Sequence, residues 1–502
     1  MEMRKLKRFS LALVLMFAVL GNLQAQNYSD LLRYSQKNYQ GTARTAATGN
    51  AFGAIGADFG AISINPAGLG LFRRPDFTVG FSLNQQSATA NYLGKSGHDD
   101  KYNLNMSNLG LVLADVRYKL GKPVQEGWVS VNFAIGFTRT NNFHGNVAIV
   151  GNNEKNSIVQ SWTEEAQGKT YESLNQFSYP YLGSVAGLIQ TVDPAGVGTE
   201  WEDVISREDP STFKLAQEDY IGTRGAMNDI NFAFAGNYSN KIYIGANITV
   251  PTIGYHSVRE FTETNLAGSN IKVYNGLKLT EEVNTSGAGI TAGFGTIFKP
   301  NEAIRLGLAL QLPTFYSLYD SYETKLTSSR TDQSYAAQSP FGTYDYSIVT
   351  PMHATFSGAV LFGKNGFLSA DYEYIDYPSA RINKASDNSR AQNERIREIY
   401  KANGNLRIGG EYRYENMAFR AGYEMHGSPF KSEFVPDKFN GQANVISGGI
   451  GFRDADYYLD LTYQHQQTKS FYLPYALSSQ QVEGANITNN RNNFMITVGS
   501  KF

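Results

Sequence analysis

From residue 76 to Phe502 the chain repeats one pattern: short runs in which every second residue is apolar, joined by connections that are alternately short and long. The clearest runs are Val129/Val131/Phe133/Ile135/Phe137, Ile242/Ile244/Ala246/Ile248/Val250, Ile304/Leu306/Leu308/Leu310/Leu312, Tyr457/Leu459/Leu461/Tyr463 and Phe494/Ile496/Val498. Successive side chains of a strand point to opposite faces, so each run sets an apolar face against one of Gly, Ser, Thr, Asn or charge. A soluble sandwich alternates in the same way, and the connections decide between the two. Runs fall near 76–84, 107–118, 128–138, 229–238, 241–250, 288–298, 303–312, 352–362, 366–376, 405–414, 417–426, 445–453, 456–466 and 493–502, about fourteen in all. Short links (Gly121 to Gly127, Ser239-Asn240, Lys299 to Asn301, Gly363 to Asn365, Glu415-Asn416, Asp454-Ala455) alternate with long ones over 85–106, 139–228, 251–287, 313–351, 377–404, 427–444 and 467–492. Short turns at one rim, long loops at the other and an even strand number specify an all-β fold, a transmembrane antiparallel β-barrel with both termini on the short-turn side.

Aromatic residues gather where the short turns begin: Tyr118, Trp128, Phe298, Phe362, Phe367, Phe419, Phe452 and Tyr457 mark a girdle at one bilayer interface. After residue 25 there is no apolar run long enough for a transmembrane helix. Before it, Arg4, Lys5, Lys7 and Arg8 precede an apolar run from Phe9 to Leu20, and Leu23-Gln24-Ala25 supplies a small residue for cleavage, so 1–25 reads as a secretory signal. The chain has no cysteine, which excludes disulfides, thiolate metal sites and a lipid-anchored cysteine. Forty-four basic residues face 45 acidic ones; removing the signal leaves 40 against 44, a net charge near −4 and no footprint for nucleic acid. The six histidines (98, 144, 256, 353, 426, 465) lack metal-ligand spacing, so neither a metal nor a cofactor is expected.

Residues 41–75 differ from the rest in being dense in Gly and Ala and nearly free of large side chains. Small residues at Gly49, Gly53, Gly56 and Gly60 let short helical pieces pack with their backbones close, and Asn65-Pro66 stops any helix. In order, Gly41-Thr-Ala-Arg44, Gly56-Ala-Asp58, Asn65-Pro66-Ala67 and Phe72-Arg-Arg-Pro75-Asp-Phe77 resemble the N-terminal hatch of the FadL/TodX family of outer-membrane transporters for long-chain fatty acids and other hydrophobic compounds. The resemblance is most specific over 41–83 and architectural beyond, since that family's barrel also has fourteen strands. It implies a hatch over 26–75 inside the lumen, with Gly41, Arg44, Gly53, Asp58, Asn65, Pro66 and Ala67 as hatch residues, and a barrel over 76–502. It also implies a kink in the third strand that opens the wall sideways; the inward-facing Gly136 is the candidate for that kink, because glycine in a strand marks bulges and bends.

With the apolar set facing lipid, the inward set carries Arg305, Asp371, Glu373, Arg407, Glu411, Arg413, Arg420, Glu424, Arg453 and Asp460. Opposite signs in rough balance suit a plug held by ion pairs, with Arg44 and Asp58 meeting a lumenal cluster of Arg407, Glu411, Arg413, Arg420, Glu424 and Arg453. In the second strand, Leu111 and Leu113 look inward if Val112, Ala114, Val116 and Tyr118 take the lipid face, which makes them candidates for lining a ligand path. His426-Gly-Ser428 resembles the His-x-Ser pair of the outer-membrane phospholipase, but alternation turns both toward the lumen or a loop, away from a lipid substrate. The expectation is therefore a monomeric, non-enzymatic barrel in the outer membrane of a Gram-negative bacterium, in contact with its lipid, that passes hydrophobic small molecules inward by diffusion and releases them laterally. The alternative is a surface adhesin or receptor, in which Trp162, Glu164, Glu165, Tyr171, Tyr179, Tyr181 and Trp201 of the long 139–228 loop form a partner surface.

Overall fold

The computed structural model describes residues 28–193, 197–208, 214–383 and 389–502. The expected secretory segment lies outside them. Fourteen antiparallel strands form the wall: β1 (Asp76–Tyr92), β2 (Lys95–Val116), β3 (Trp128–Asn142, resumed at Gly145–Asn153), β4 (Leu215–Tyr238), β5 (Ile242–Asn265), β6 (Tyr274–Phe298) and β7 (Ile304–Gln311, resumed at Phe315–Arg330), then β8 (Gly342–Val349 with His353–Leu361), β9 (Gly366–Asp376 with Arg381–Asn383), β10 (Ala402–Tyr414), β11 (Met417–His426), β12 (Asn440–Arg453), β13 (Tyr457–Tyr472) and β14 (Ala485–Lys501). Each pairs with the next, and β14 closes on β1 from Asp76↔Lys501 to Asn91↔Asn486. Closure pairs every strand on both sides over at least part of its length, which is how strands cross hydrocarbon with most of their backbone groups bonded.

Phe81, Leu83, Phe133, Ile135, Phe232, Ile248, Leu306, Phe356, Ile450 and Phe494 point outward and form the apolar belt. Above that belt the ladders run on. The segments 85–106 and 251–287, expected as loops, are the upper halves of the β1–β2 and β5–β6 hairpins, turning at 93–94 and 266–273. Beyond the bilayer the outward positions become polar, as at Gln85, Ser87 and Thr89, so the apolar alternation ends while the hydrogen bonding does not.

The expected inward orientation of Leu111 and Leu113 is corrected. Leu111 pairs with the outward Phe77, cross-strand partners share a face, and Leu113 is 48% exposed on the lipid side. Val112 takes the inner position and is fully buried against Phe59 and Phe72. A bulge opposite Gly80/Phe81 leaves Ser107 and Asn108 both buried, so the inward set shifts by one position there.

Inside the barrel runs the chain before β1. Helix α1 (Tyr28–Ser35) lies with Leu31 and Tyr34 buried among Phe143, Ile253, Tyr316, Ile348 and Tyr377 of the upper wall. An extended stretch leads down to α2 (Ala43–Ala47), capped by Thr42, and then to two 3₁₀ turns, Phe59–Ser63 and Pro66–Leu71, capped by the side chains of Asp58 and Asn65. Over the extracellular rim the long loop folds into its own core. Helices α3 (Ile158–Ala166) and α4 (Tyr179–Val185) and the short strand Trp201–Asp203 pack Trp162, Leu182 and Trp201 against Leu215, Phe261 and Leu277 of the strands beneath. Trp162 and Trp201 are therefore core residues of this cap and not part of an exposed partner surface.

Candidate functional site

The inner segment is held to the wall by charge, by glycine and by proline geometry. Arg44, on α2, directs its guanidinium Nε at Glu411 Oε2 of β10, 2.9 Å away, and a second nitrogen at Asp58 Oδ2 at 3.7 Å. Glu411 also accepts from Arg420 at 2.6 Å and Arg413 at 2.6 Å. Asp460 then joins Arg420 (2.7 Å) to Arg453 (2.9 Å). A second group centres on Arg407, 2.6 Å from Glu373 and 3.8 Å from Glu424. It too reaches the inner segment, since Asn50 donates to Glu424 at 2.9 Å. Opposite charges taken out of bulk water persist only when paired in this manner.

The wall glycines are where the inner backbone touches. A Cβ on Gly409 would lie 1.9 Å from the Thr48 carbonyl oxygen, one on Gly422 2.1 Å from Gly49 N, and one on Gly307 2.5 Å from the Gly53 carbonyl oxygen. Gly245 receives the Pro66 carbonyl in the same way and Gly295 the side-chain oxygen of Asn65, while Gly110 and Gly136 face the Phe59 ring. Three of these pairs, Gly110/Gly136, Gly245/Gly295 and Gly409/Gly422, sit directly across their ladders. Their inward parity, each beside an outward apolar neighbour, was the signal available in the sequence.

The remaining resemblance residues each close one local contact. Gly41 has φ +53°, a left-handed turn that glycine takes without strain. Gly53 N donates to Asp371 at 2.9 Å. Asp58 accepts from Thr42 Oγ1 at 2.6 Å and from Gly60 N at 3.0 Å. Asn65 Nδ2 donates to the Gly53 carbonyl at 2.7 Å, and its Oδ1 accepts from Ala67 N at 3.0 Å. Pro66 opens the second 3₁₀ turn, where a missing N–H costs nothing, and Ala67 is buried beneath Tyr243 and Ile297. His426 pairs with Glu424 and Ser428 Oγ donates to the Asn440 carbonyl, so these two side chains are engaged separately.

Gly136 does not interrupt the wall. It pairs with Gly110 on one side and Asn231 on the other. The interruption comes just above, where the β2–β3 ladder ends at Asn108↔Thr138 and the β3–β4 register shifts between Arg139 and Asn141. From there β3 passes inside the β1–β2 hairpin: Asn142 donates to Asn103 at 3.0 Å, Asn146 N to Gln86 Oε1 at 2.9 Å, and a Cβ on Gly97 would strike the Ala148 carbonyl. Residues 95–107 of β2 thus have no ladder partner on that side among the described residues. The inner segment takes up part of what β2 releases, for Asn38 N donates to the Thr140 carbonyl at 2.8 Å and Gln40 N to that of Arg139 at 3.2 Å. Behind this seam lies a cavity of about 360 Å³, lined by Asn141, Asn142, Phe143, His144 and Gly145 on the seam side and by His353, Glu373, Asn405 and His426 opposite.

A closed wall of fourteen strands around its own N-terminal segment defines the class: a transmembrane β-barrel. Among solved structures, the chain is similar to a FadL homologue of Pseudomonas aeruginosa (TM-score 0.52, 12% identity, 93% of this chain and 99% of that one). Also similar are the toluene transporters TodX of Pseudomonas putida (0.49, 12%, 93% and 100%) and TbuX of Ralstonia pickettii (0.49, 14%, 92% and 98%). The fold is shared with the FadL homologue. No protein-family model matches the chain, nor does any curated protein.

Proposed function

We propose that this chain is a monomeric outer-membrane channel that admits hydrophobic small molecules by diffusion, with residues 26–75 as its hatch and lateral release through the wall. The observation that carries the reading is the seam at Asn108–Thr138 with a cavity directly behind it. The fold shared with the FadL homologue agrees with it. A molecule with an acyl tail in the lumen meets a packed inner segment toward the periplasm and, at the lower end of the seam where Leu104 and Met106 pair with the belt residues Leu83 and Phe81, hydrocarbon. Each methylene kept from water is worth about 0.8 kcal/mol, so the lateral exit is favoured by several kcal/mol for a tail of ordinary length. Opening the seam breaks no β2–β3 ladder bond above Thr138, only side-chain bonds such as Asn142 to Asn103 and Lys101 to Asn146, while Asn38 and Gln40 of the inner segment hold β3 from within. The hatch and the exit are coupled through those bonds.

The test is uptake of labelled long-chain fatty acid and of a labelled hydrocarbon by a transporter-deficient Gram-negative host expressing the chain. Saturable uptake of either above the empty-vector level is expected. Uptake of neither, by folded protein at the cell surface, contradicts the reading and favours a receptor.

A further inference from the structure

The cavity behind the seam is not built for a hydrocarbon. Its lining is rich in amides, among them Gln36, Asn38, Gln86, Asn405, Gln466 and Asn489, each of which offers both donors and an acceptor. Most charges that reach it are already matched. Arg33 is paired with Asp30 and Lys37 with Asp229, while Glu373 is held by Arg407 and His353. Arg491 is the exception. It sits on β14 between Gln86 of β1 and Gln466 of β13, its ladder neighbours, and lines the cavity. Its guanidinium makes no ion pair and donates no hydrogen bond among the described residues.

Gln86 is already engaged elsewhere, its amide nitrogen donating to Asn489 Oδ1 at 2.9 Å and its oxygen accepting from Asn146 N at 2.9 Å. A guanidinium fork matches a carboxylate or phosphate in two parallel hydrogen bonds, and the partly buried Arg491 leaves its own open toward the cavity. A bare carboxylate occupies about the volume of two waters, ~60 Å³, a small part of the cavity. Outside the seam, the outward side chains of β2 are Tyr102, Leu104 and Met106, with Leu104 72% exposed.

We infer that the cavity recognises the head of an amphiphile, an anion carrying further hydroxyl or amide groups, with its carboxylate or phosphate on Arg491 and its tail directed past Tyr102 and Leu104 into the bilayer. The inference rests on the channel reading and narrows its substrate class.

Calorimetric titration of nanodisc-reconstituted protein with probes that share a twelve-carbon tail tests it: laurate, dodecyl glucoside, N-lauroyl-glutamate and the dimethyl ester of the last. N-lauroyl-glutamate is expected to bind at least tenfold more tightly than the other three. Arg491→Gln is expected to remove that advantage and Arg491→Lys to keep part of it, with both variants retaining heat-modifiable migration. Equal affinity for laurate, or for the neutral ester, overturns the inference with wild-type protein alone, whatever the variants do. If laurate is taken up by cells while head and Arg491 are indifferent, the inference fails and the channel stands. If no probe binds and none is taken up, both fail.

Discussion

Glu411 faces three guanidinium groups at once, those of Arg44, Arg413 and Arg420, and removing its carboxylate leaves them to repel one another. Breaking a buried pair costs about 3 to 5 kcal/mol, reduced where lumenal water reaches the site. Glu411→Ala should therefore loosen the inner segment more than Arg44→Ala, and both should raise small-solute leak in planar-bilayer recordings, in that order. Equal, wild-type conductance in the two would count against an ionic clamp. Gly409→Val and Gly422→Val act by volume instead, placing carbon within 1.9 and 2.1 Å of the inner backbone while suiting a strand. They should assemble a barrel whose lumen is open, read as a stepwise rise in conductance at unchanged heat-modifiability; a blocked channel in both would contradict the close contact. The charged cluster could be read from the sequence because charges on one parity of an otherwise apolar alternation must face inward. Leu111 and Leu113 could not, because β2 is apolar on both faces where Val112 meets Phe59, and alternation then has nothing to distinguish.

At the scale of elements, β3 and the cap each depart from what periodicity conveys. Gly136→Val should fold poorly or displace Phe59, since its Cβ would lie 2.3 Å from that ring and 2.3 Å from the Leu109 carbonyl oxygen. Its effect would be seen as leak through a disturbed inner segment, and loss of uptake without leak would instead place the exit at Gly136. The turn of β3 at 139–144 carries no glycine and no proline, only Arg, Thr, Asn, Phe and His, so no local breaker announced it; the loss of a partner strand is a tertiary fact. In the cap, burial pushes the Glu165 carboxyl on α3 up to about 7, against the pull of Lys169. The folded value lies above the ordinary one of 4.5, so the associated stability is complete below about 4.5 and is lost as pH rises through about 7. Limited proteolysis of the cap should accelerate between pH 5 and pH 8, and Glu165→Gln should flatten that dependence. An unchanged pH profile in Glu165→Gln would assign the effect elsewhere.

For the whole molecule, the alternation of short and long connections was enough to give strand number, closure and the side on which the wall begins and ends, because a membrane forbids unpaired backbone and leaves few other solutions. It could not give the heights of the strands or the cap, whose cores form among residues with no bilayer to order them. Nor could it place α1, which carries Leu31 and Tyr34 back up into the lumen from a sequence that reads as a polar start. The barrel should sediment with the outer membrane and migrate faster unheated than boiled, while a helical circular-dichroism spectrum would contradict the architecture itself. The most direct test of lateral passage uses the absence of native cysteine. In the double variant Asn103→Cys/Asn142→Cys, where the native side chains meet at 3.0 Å across the seam, a short bis-methanethiosulfonate can tie β2 to β3. Uptake of labelled long-chain fatty acid should fall at least tenfold on cross-linking and return on reduction; uptake that continues at the uncross-linked rate through a fully tied seam would contradict the lateral route.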